Sequence, residues 1–213
     1  MRLQMLLSTI GSILMAACSS PDGQAGTYRG YELPSYTVVE SHGEIEIRDY
    51  DSRLVAEVTV AGSRDEAANR GFRILAAYIF GENEPERSID MTTPVIQAPA
   101  EQGAEIAMTS PVTQVAGDGT WTVQFGMPSD FTLEALPEAR DERIEFRILE
   151  PARYVAIRFS GRWTDEAFRI ERGRLETFVR EKNLSVTGDP ILAYYDDPFT
   201  FPWNRRNEIL YRL

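Results

Sequence analysis

Laid against itself at an offset of 99 residues, the chain repeats. Ile45-Glu46-Ile47-Arg48 falls on Ile144-Glu145-Phe146-Arg147, and Val58, Val60 and Gly62 fall on Ile157, Phe159 and Gly161 without a gap. No other feature constrains the fold as strongly, because two copies of one unit must bury their apolar faces in one shared architecture. In each copy the apolar residues alternate at period two, which predicts two strands around a turn. After each glycine the period changes. Residues 65–80 set Ala68, Phe72, Leu75 and Ile79 at spacings of four, three and four, one face of a helix. Residues 164–183 do the same with Phe168, Leu175 and Phe178 or Val179, with Thr164 as N-cap and Asp165 and Glu166 in the first turn. Generic amphipathic alternation does not explain an Ile-Glu-x-Arg that is followed by glycine 17 positions after its first residue in both copies.

Two strand candidates follow each helix: 89–97 and 105–115 in the first half, with 121–127 as an extra one, then 191–195 and 208–213. A β-β-α-β-β pattern occurring twice predicts an α+β domain. Its two pseudo-repeats meet as a distorted antiparallel β-barrel with both helices packed outside. A short phrase recurs inside it. Met91-Thr92-Thr93-Pro94-Val95-Ile96-Gln97 and Met108-Thr109-Ser110-Pro111-Val112-Thr113-Gln114 agree at five of seven positions. Proline lacks a backbone N–H and is confined to strand ends, bulges and edges, so both strands are expected to be bent or peripheral.

The first 17 residues read as a signal peptide. Arg2 is the positive n-region, and the 13 residues from Met5 to Ala17 are apolar but too short to span a bilayer. Leu14-Met15-Ala16-Ala17-Cys18 resembles a bacterial lipobox, which makes Cys18, the sole cysteine, the expected lipidated residue. Ser19 after it favours the outer membrane, by similarity to Gram-negative lipoproteins. Residues 18–35 then form a lipidated, flexible tether and 36–213 the folded domain. Removing residues 1–17 takes away only Arg2 among the charges and leaves net −12, which argues against nucleic acid and against docking on anionic lipid. Membrane association is therefore expected through the lipid anchor only, on the periplasmic side, for a monomeric protein.

Catalytic motifs are missing from the sequence. His42 is the only histidine, which leaves no HExxH or two-histidine metal site, and no G-x-S-x-G, P-loop or G-x-G-x-x-G occurs. Glu44 and Glu46 alternate with Ile45 and Ile47, as solvated outward positions do. A binding protein, not an enzyme, is expected.

Four further stretches extend the pattern. Gly71-Phe72-Arg73-Ile74-Leu75 through Tyr78-Ile79-Phe80-Gly81-Glu82-Asn83 precedes the repeated phrase. Trp121-Thr122-Val123-Gln124-Phe125-Gly126-Met127-Pro128 follows it, and Tyr195-Asp196-Asp197-Pro198-Phe199-Thr200-Phe201-Pro202-Trp203-Asn204-Arg205-Arg206-Asn207-Glu208 closes the chain. In that order they resemble the SOUL family of haem-binding proteins. The resemblance implies non-covalent binding of haem or another tetrapyrrole in an apolar surface groove, without a fixed axial ligand. It places that groove at Asn69, Phe72, Arg73, Ala76 and Ala77 on the first helix and at Phe199, Phe201 and Trp203 in the last loop. Arg70, Arg73, Arg205 and Arg206 are the candidates for the propionates, although Arg205 and Arg206 also read as structural partners of Glu208 or Asp196. His42, in the polar turn Glu40-Ser41-His42-Gly43-Glu44, reads as a solvated residue, with axial ligation the weaker alternative. Met91, Met108 and Met127 fit core packing better than ligation. The rival reading is a cofactor-free envelope lipoprotein that acts as a protein-interaction or structural module.

Overall fold

The structure, a computed structural model, describes residues 26–100 and 119–213. The leader, Cys18, the strand expected at 105–115 and the second copy of the proline phrase with Met108 lie outside these residues. The strands are β1 (Thr27–Tyr28), β2 (Tyr31–Glu32), β3 (Tyr36–His42), β4 (Ile45–Tyr50), β5 (Arg53–Ala61), β6 (Asn83–Glu84), β7 (Val95–Pro99), β8 (Thr120–Gly126), β9 (Glu138–Ala139), β10 (Glu145–Leu149), β11 (Ala152–Phe159), β12 (Thr187–Tyr194) and β13 (Asn207–Arg212). Two helices, α1 (Arg64–Ile79) and α2 (Asp165–Glu181), complete the α+β architecture. Nine strands form one antiparallel sheet in the order β10-β5-β8-β7-β12-β13-β11-β4-β3, curled into a half-barrel.

That order carries the duplication. Exchanging β4 with β10, β5 with β11, β7 with β12 and β8 with β13 maps the sheet, apart from β3, onto itself. The two repeats join at the β7–β12 pair. Consecutive strands β4 and β5 do not pair with each other. Instead β4 lies on β11 and β10 on β5, so each repeat gives its first strand to the other half. Gly62 and Gly161 end β5 and β11 with φ of 131° and 130°, a backbone state that a side chain disfavours.

Each helix begins as its residues dictate. Ser63 and Glu66 cap α1 reciprocally, and Thr164 caps α2 through Ala167 N–H. On α2, Phe168, Leu175 and Val179 are buried as expected. On α1 the buried face is rotated from the expected one: Ala67, Gly71, Leu75, Tyr78 and Ile79 face the sheet, while Ala68 is only half-buried and Phe72 is exposed. Val123 of β8 explains the offset, because its side chain stands where only a residue without Cβ fits.

The expected strand at 89–97 starts late, at Val95. Pro94 has no N–H for the ladder. Before it, Thr92 Oγ1 donates to the Gly126 carbonyl and Thr93 N–H to the Glu32 carbonyl, which binds the proline phrase to β8 and β2. The extra strand expected at 121–127 is β8, the partner of β7.

Apolar side chains form three clusters. One lies between α1 and β5–β8 and includes Met127, with Met91 packed against it; a second lies under α2. The third, around Tyr50, Tyr154, Tyr195 and Leu210, lies on the opposite, concave face. Beside it sits a buried ion network. Glu208 accepts from Arg48 Nη1 at 2.7 Å and Nη2 at 3.1 Å, from Arg206 Nε at 3.0 Å and Nη2 at 2.7 Å, and from the Tyr195 hydroxyl at 2.8 Å. Glu46 closes it through Arg48 Nε at 2.7 Å, so that carboxylate is not the solvated outward group the alternation suggested.

Candidate functional site

Asn69, Phe72, Arg73, Ala76 and Ala77 recur at helical spacing on the side of α1 away from Ala67, Gly71 and Leu75, with Phe72 at its margin against β8. The two alanines are half-buried, and the other three are exposed. Phe72 is 39% exposed and meets Phe125 of β8 edge-on at 5.4 Å between ring centres. Asn69 turns back to the Asp65 carbonyl, and Arg70 reaches the Ala61 carbonyl at 3.4 Å. Arg73 makes no hydrogen bond or ion pair among the described residues.

The last loop is hydrogen-bonded along its backbone and apolar in what it presents. Asp197 accepts from the Phe199 and Thr200 N–H groups, and Arg205 donates to the Thr200 and Pro198 carbonyls. Pro202 O accepts from Gly161 N–H, and Asn204 O accepts from Arg29. With its polar groups so engaged, the loop holds Phe199, Phe201 and Trp203 outward, at 93%, 62% and 69% exposure. None of them pins the loop to the sheet. Phe201 and Trp203 stack on each other at 4.8 Å with an interplanar angle of 8°. Three exposed rings in one short loop are a surface that a folded protein rarely leaves without use.

Among the described residues no hydrogen bond, ion pair or ring contact joins the α1 stripe to this loop. Trp163 has a contact with each of the two elements. Arg64 at the start of α1 donates to the Trp163 carbonyl, and Arg205 lies 4.4 Å over the Trp163 ring. Of the arginines expected at the groove, Arg206 is committed to Glu208 as its structural alternative supposed, whereas Arg205 is held by carbonyls rather than by a carboxylate. His42 is the last residue of β3, bonded to Glu40 at 3.0 Å and 5.1 Å from the Phe178 ring of α2.

A wide concavity lies elsewhere. A cavity of about 860 Å³ opens on the sheet face away from the helices. Leu33, Val55, Ile96, Phe131, Ile191 and Leu210 contribute its apolar wall, and none of the expected groove residues lines it. Glu57 in that wall accepts from Gln124 Nε2 at 2.6 Å and Arg147 Nη1 at 3.2 Å. Sequence reasoning missed this site for a physical reason. Inward polar residues of a half-barrel alternate with core residues in the same way as solvated ones do.

A family comparison bears on these sites. The sequence profile described as SOUL heme-binding protein matches residues 31–212. No curated protein matches the chain at a significant level. Among solved structures, the chain is similar to the C-terminal domain of EcmrR, with a TM-score of 0.58 at 10% identity, over 79% of this chain and 95% of that one. It is also similar to an uncharacterized conserved protein from Listeria innocua, with a TM-score of 0.54 at 15% identity over 79% and 91%. A hydrolase from the same organism aligns with a TM-score of 0.53 at 14% identity over 81% and 93%. At these identities the likeness concerns the fold alone.

Proposed function

Because the chain belongs to the SOUL heme-binding protein family, we propose that it binds haem or a related tetrapyrrole non-covalently through the outward α1 stripe and the aromatic loop. We further propose that it does so from the bacterial envelope, anchored by lipidated Cys18. The observation that carries the reading is the loop itself, with a stacked Phe201–Trp203 pair and Phe199 in solvent; α1 adds the exposed Phe72. Flat apolar rings of this kind suit a flat macrocycle. Arg73, without a carboxylate partner, is the side chain available for a propionate. The donor set fits a tetrapyrrole held by its face and its acids, since His42 is engaged with Glu40 and Phe178. When bound, haem would supply a redox-active iron; the chain itself supplies stacking, charge and exclusion of water. We read the role as binding without catalysis.

Haemin titration followed by Soret absorbance tests this. Burying an aromatic contact against the macrocycle is worth about 1–3 kcal/mol. Phe72→Ala with Phe201→Ala should therefore weaken binding at least about tenfold. His42→Ala should leave the dissociation constant within a factor of a few, and loss of the Soret shift in that variant would instead identify an axial-histidine site. Absence of any saturable shift in the wild type would favour the rival, a cofactor-free module whose exposed Phe199 meets a partner protein. The anchor has its own test. Cys18→Ser should abolish lipid labelling and release the protein from the membrane fraction, and unchanged labelling and fractionation would exclude lipidation at Cys18.

A further inference from the structure

We propose that the concave cavity on the helix-free face is a second ligand site, built for an apolar molecule that ends in a carboxylate. Its volume of about 860 Å³ lies in the range of small-molecule sites. About half of its lining residues are aliphatic or aromatic, and among them stands a partly buried cation that no carboxylate meets. Arg53, at the start of β5, makes no hydrogen bond or ion pair among the described residues, and its Nη1 is buried without an acceptor. Its guanidinium is held over two rings of the same wall, 5.1 Å from Tyr50 and 5.9 Å from Tyr154.

Burial sets Arg53 apart, because Arg73 and Arg212 also lack an ion pair among the described residues but are exposed to water. Arg48, Arg64, Arg143, Arg147, Arg153 and Arg206 all pair with carboxylates. Three acids of the cavity wall have other partners. Glu57 is held by Gln124 and Arg147, Asp51 accepts from the Ser35 hydroxyl, and Glu32 accepts from Ser129 N–H. Arg212 also lines the cavity, and β13 sets it in register with Tyr154 across the β11 pairing. Paired residues of adjacent strands point to the same face. Arg53 and Arg212 thus flank one tyrosine at the edge of an apolar hollow, and a planar fork held over an aromatic ring is suited to a carboxylate. A singly charged carboxylate fits better than a phosphate dianion, because Glu134 and Asp189 are exposed in the same wall and would repel the larger charge.

This inference is independent of the haem proposal, and calorimetric titration of the purified full chain with dodecanoate tests it. Saturable binding is expected, with dodecanol and dodecyltrimethylammonium at least about tenfold weaker because neither offers Arg53 an anionic acceptor. Arg53→Gln should weaken dodecanoate by about fivefold or more and leave dodecanol unchanged. Circular dichroism checks that this variant folds, and Arg212→Gln, at an exposed position, repeats the test if it does not. Phe72→Ala with Phe201→Ala should leave dodecanoate binding unaltered, which separates this site from the proposed groove. Equal affinity for the three head groups, tighter binding of the cation, or no saturable binding would overturn the proposal. So would indifference to both arginine variants, or loss of binding in the aromatic double variant. Metal-free protoporphyrin, a flat dicarboxylate, identifies the body of the ligand. Displacement of dodecanoate by it assigns the cavity to a macrocycle, and failure to displace assigns it to an acyl chain; the site stands in either case.

Discussion

Glu208→Gln is expected to lower the unfolding free energy by about 3–5 kcal/mol, the usual cost of removing one partner from a buried ion pair. The substitution keeps the shape of the side chain but removes the negative charge that balances two guanidinium groups. Arg48 and Glu208 are 2% and 0% exposed, so water cannot take over that role. A shifted urea midpoint at unchanged slope is the measurement, and a loss below about 1 kcal/mol would show that the network is not held in this form. Replacing Arg48, Arg206 and Glu208 together by apolar residues of similar volume should cost much less, because no buried charge is then left alone.

The same network gives stability a pH dependence. Burial by itself would raise the Glu208 pKa, but the charge and hydrogen bonds of Arg48, then those of Arg206 and the Tyr195 hydroxyl, outweigh it and hold the carboxyl below its ordinary value. The folded state therefore binds this proton less readily than the unfolded chain does. The contribution is complete above the ordinary glutamate value of 4.5 and is lost as pH falls through the lower, folded value. Wild-type stability should fall in that acid window, and the Glu208→Gln variant should show a smaller decline there.

Gly71→Ala is expected to destabilise by about 1–3 kcal/mol, although alanine is the better helix former by roughly 0.8–1 kcal/mol. A Cβ at Gly71 would stand 2.6 Å from both Cβ and Cγ2 of Val123 and 3.1 Å from its Cγ1. Val123 is fully buried in the central part of the sheet, and its Cβ moves only with its backbone. The helix must therefore lift off β8 or the strand must shift. Val123→Ala in the same chain removes the two Cγ contacts but keeps the Cβ contact, so it should restore only part of the loss. Thermal unfolding of the two single variants and the double variant measures this, and a Gly71→Ala protein as stable as wild type would contradict the close approach of α1 to β8.

Much of the architecture was legible from spacing alone. The offset of 99 residues identified equivalent strands, and Gly62 and Gly161 adopt the same backbone state in the structure. The start of α2 at Thr164 was read from local chemistry, since an exposed N-terminus of a helix needs a side-chain acceptor, whereas the Ser63–Glu66 cap of α1 was not read. The aromatic loop with Phe199, Phe201 and Trp203 was located by the family resemblance. What holds the rings outward was not legible, because the hydrogen bonds come from Asp197, Arg205, Gly161 and Arg29. The face of α1 was misjudged by about one position because periodicity weighs Phe72 as an apolar residue and Gly71 as none, whereas packing against Val123 selects the smallest side chain.

By itself the sequence determined that two equivalent β-β-α-β-β units exist, where their helices begin and which strand residues alternate. Only the tertiary structure decided what each alternation faces. The two Ile-Glu-x-Arg copies show why. Arg48 is 2% exposed and bonded to Glu208, while Arg147, at the same place in the other copy, is 55% exposed and paired with Glu57. Their local sequences are nearly the same, but β4 is covered by β3, with Tyr36 over the Arg48 guanidinium at 4.6 Å, and β10 is an edge strand. Burial depends on what lies across the sheet, and in this fold each repeat gives its first strand to the other half, where its partner residues lie 88 to 112 positions away in the chain.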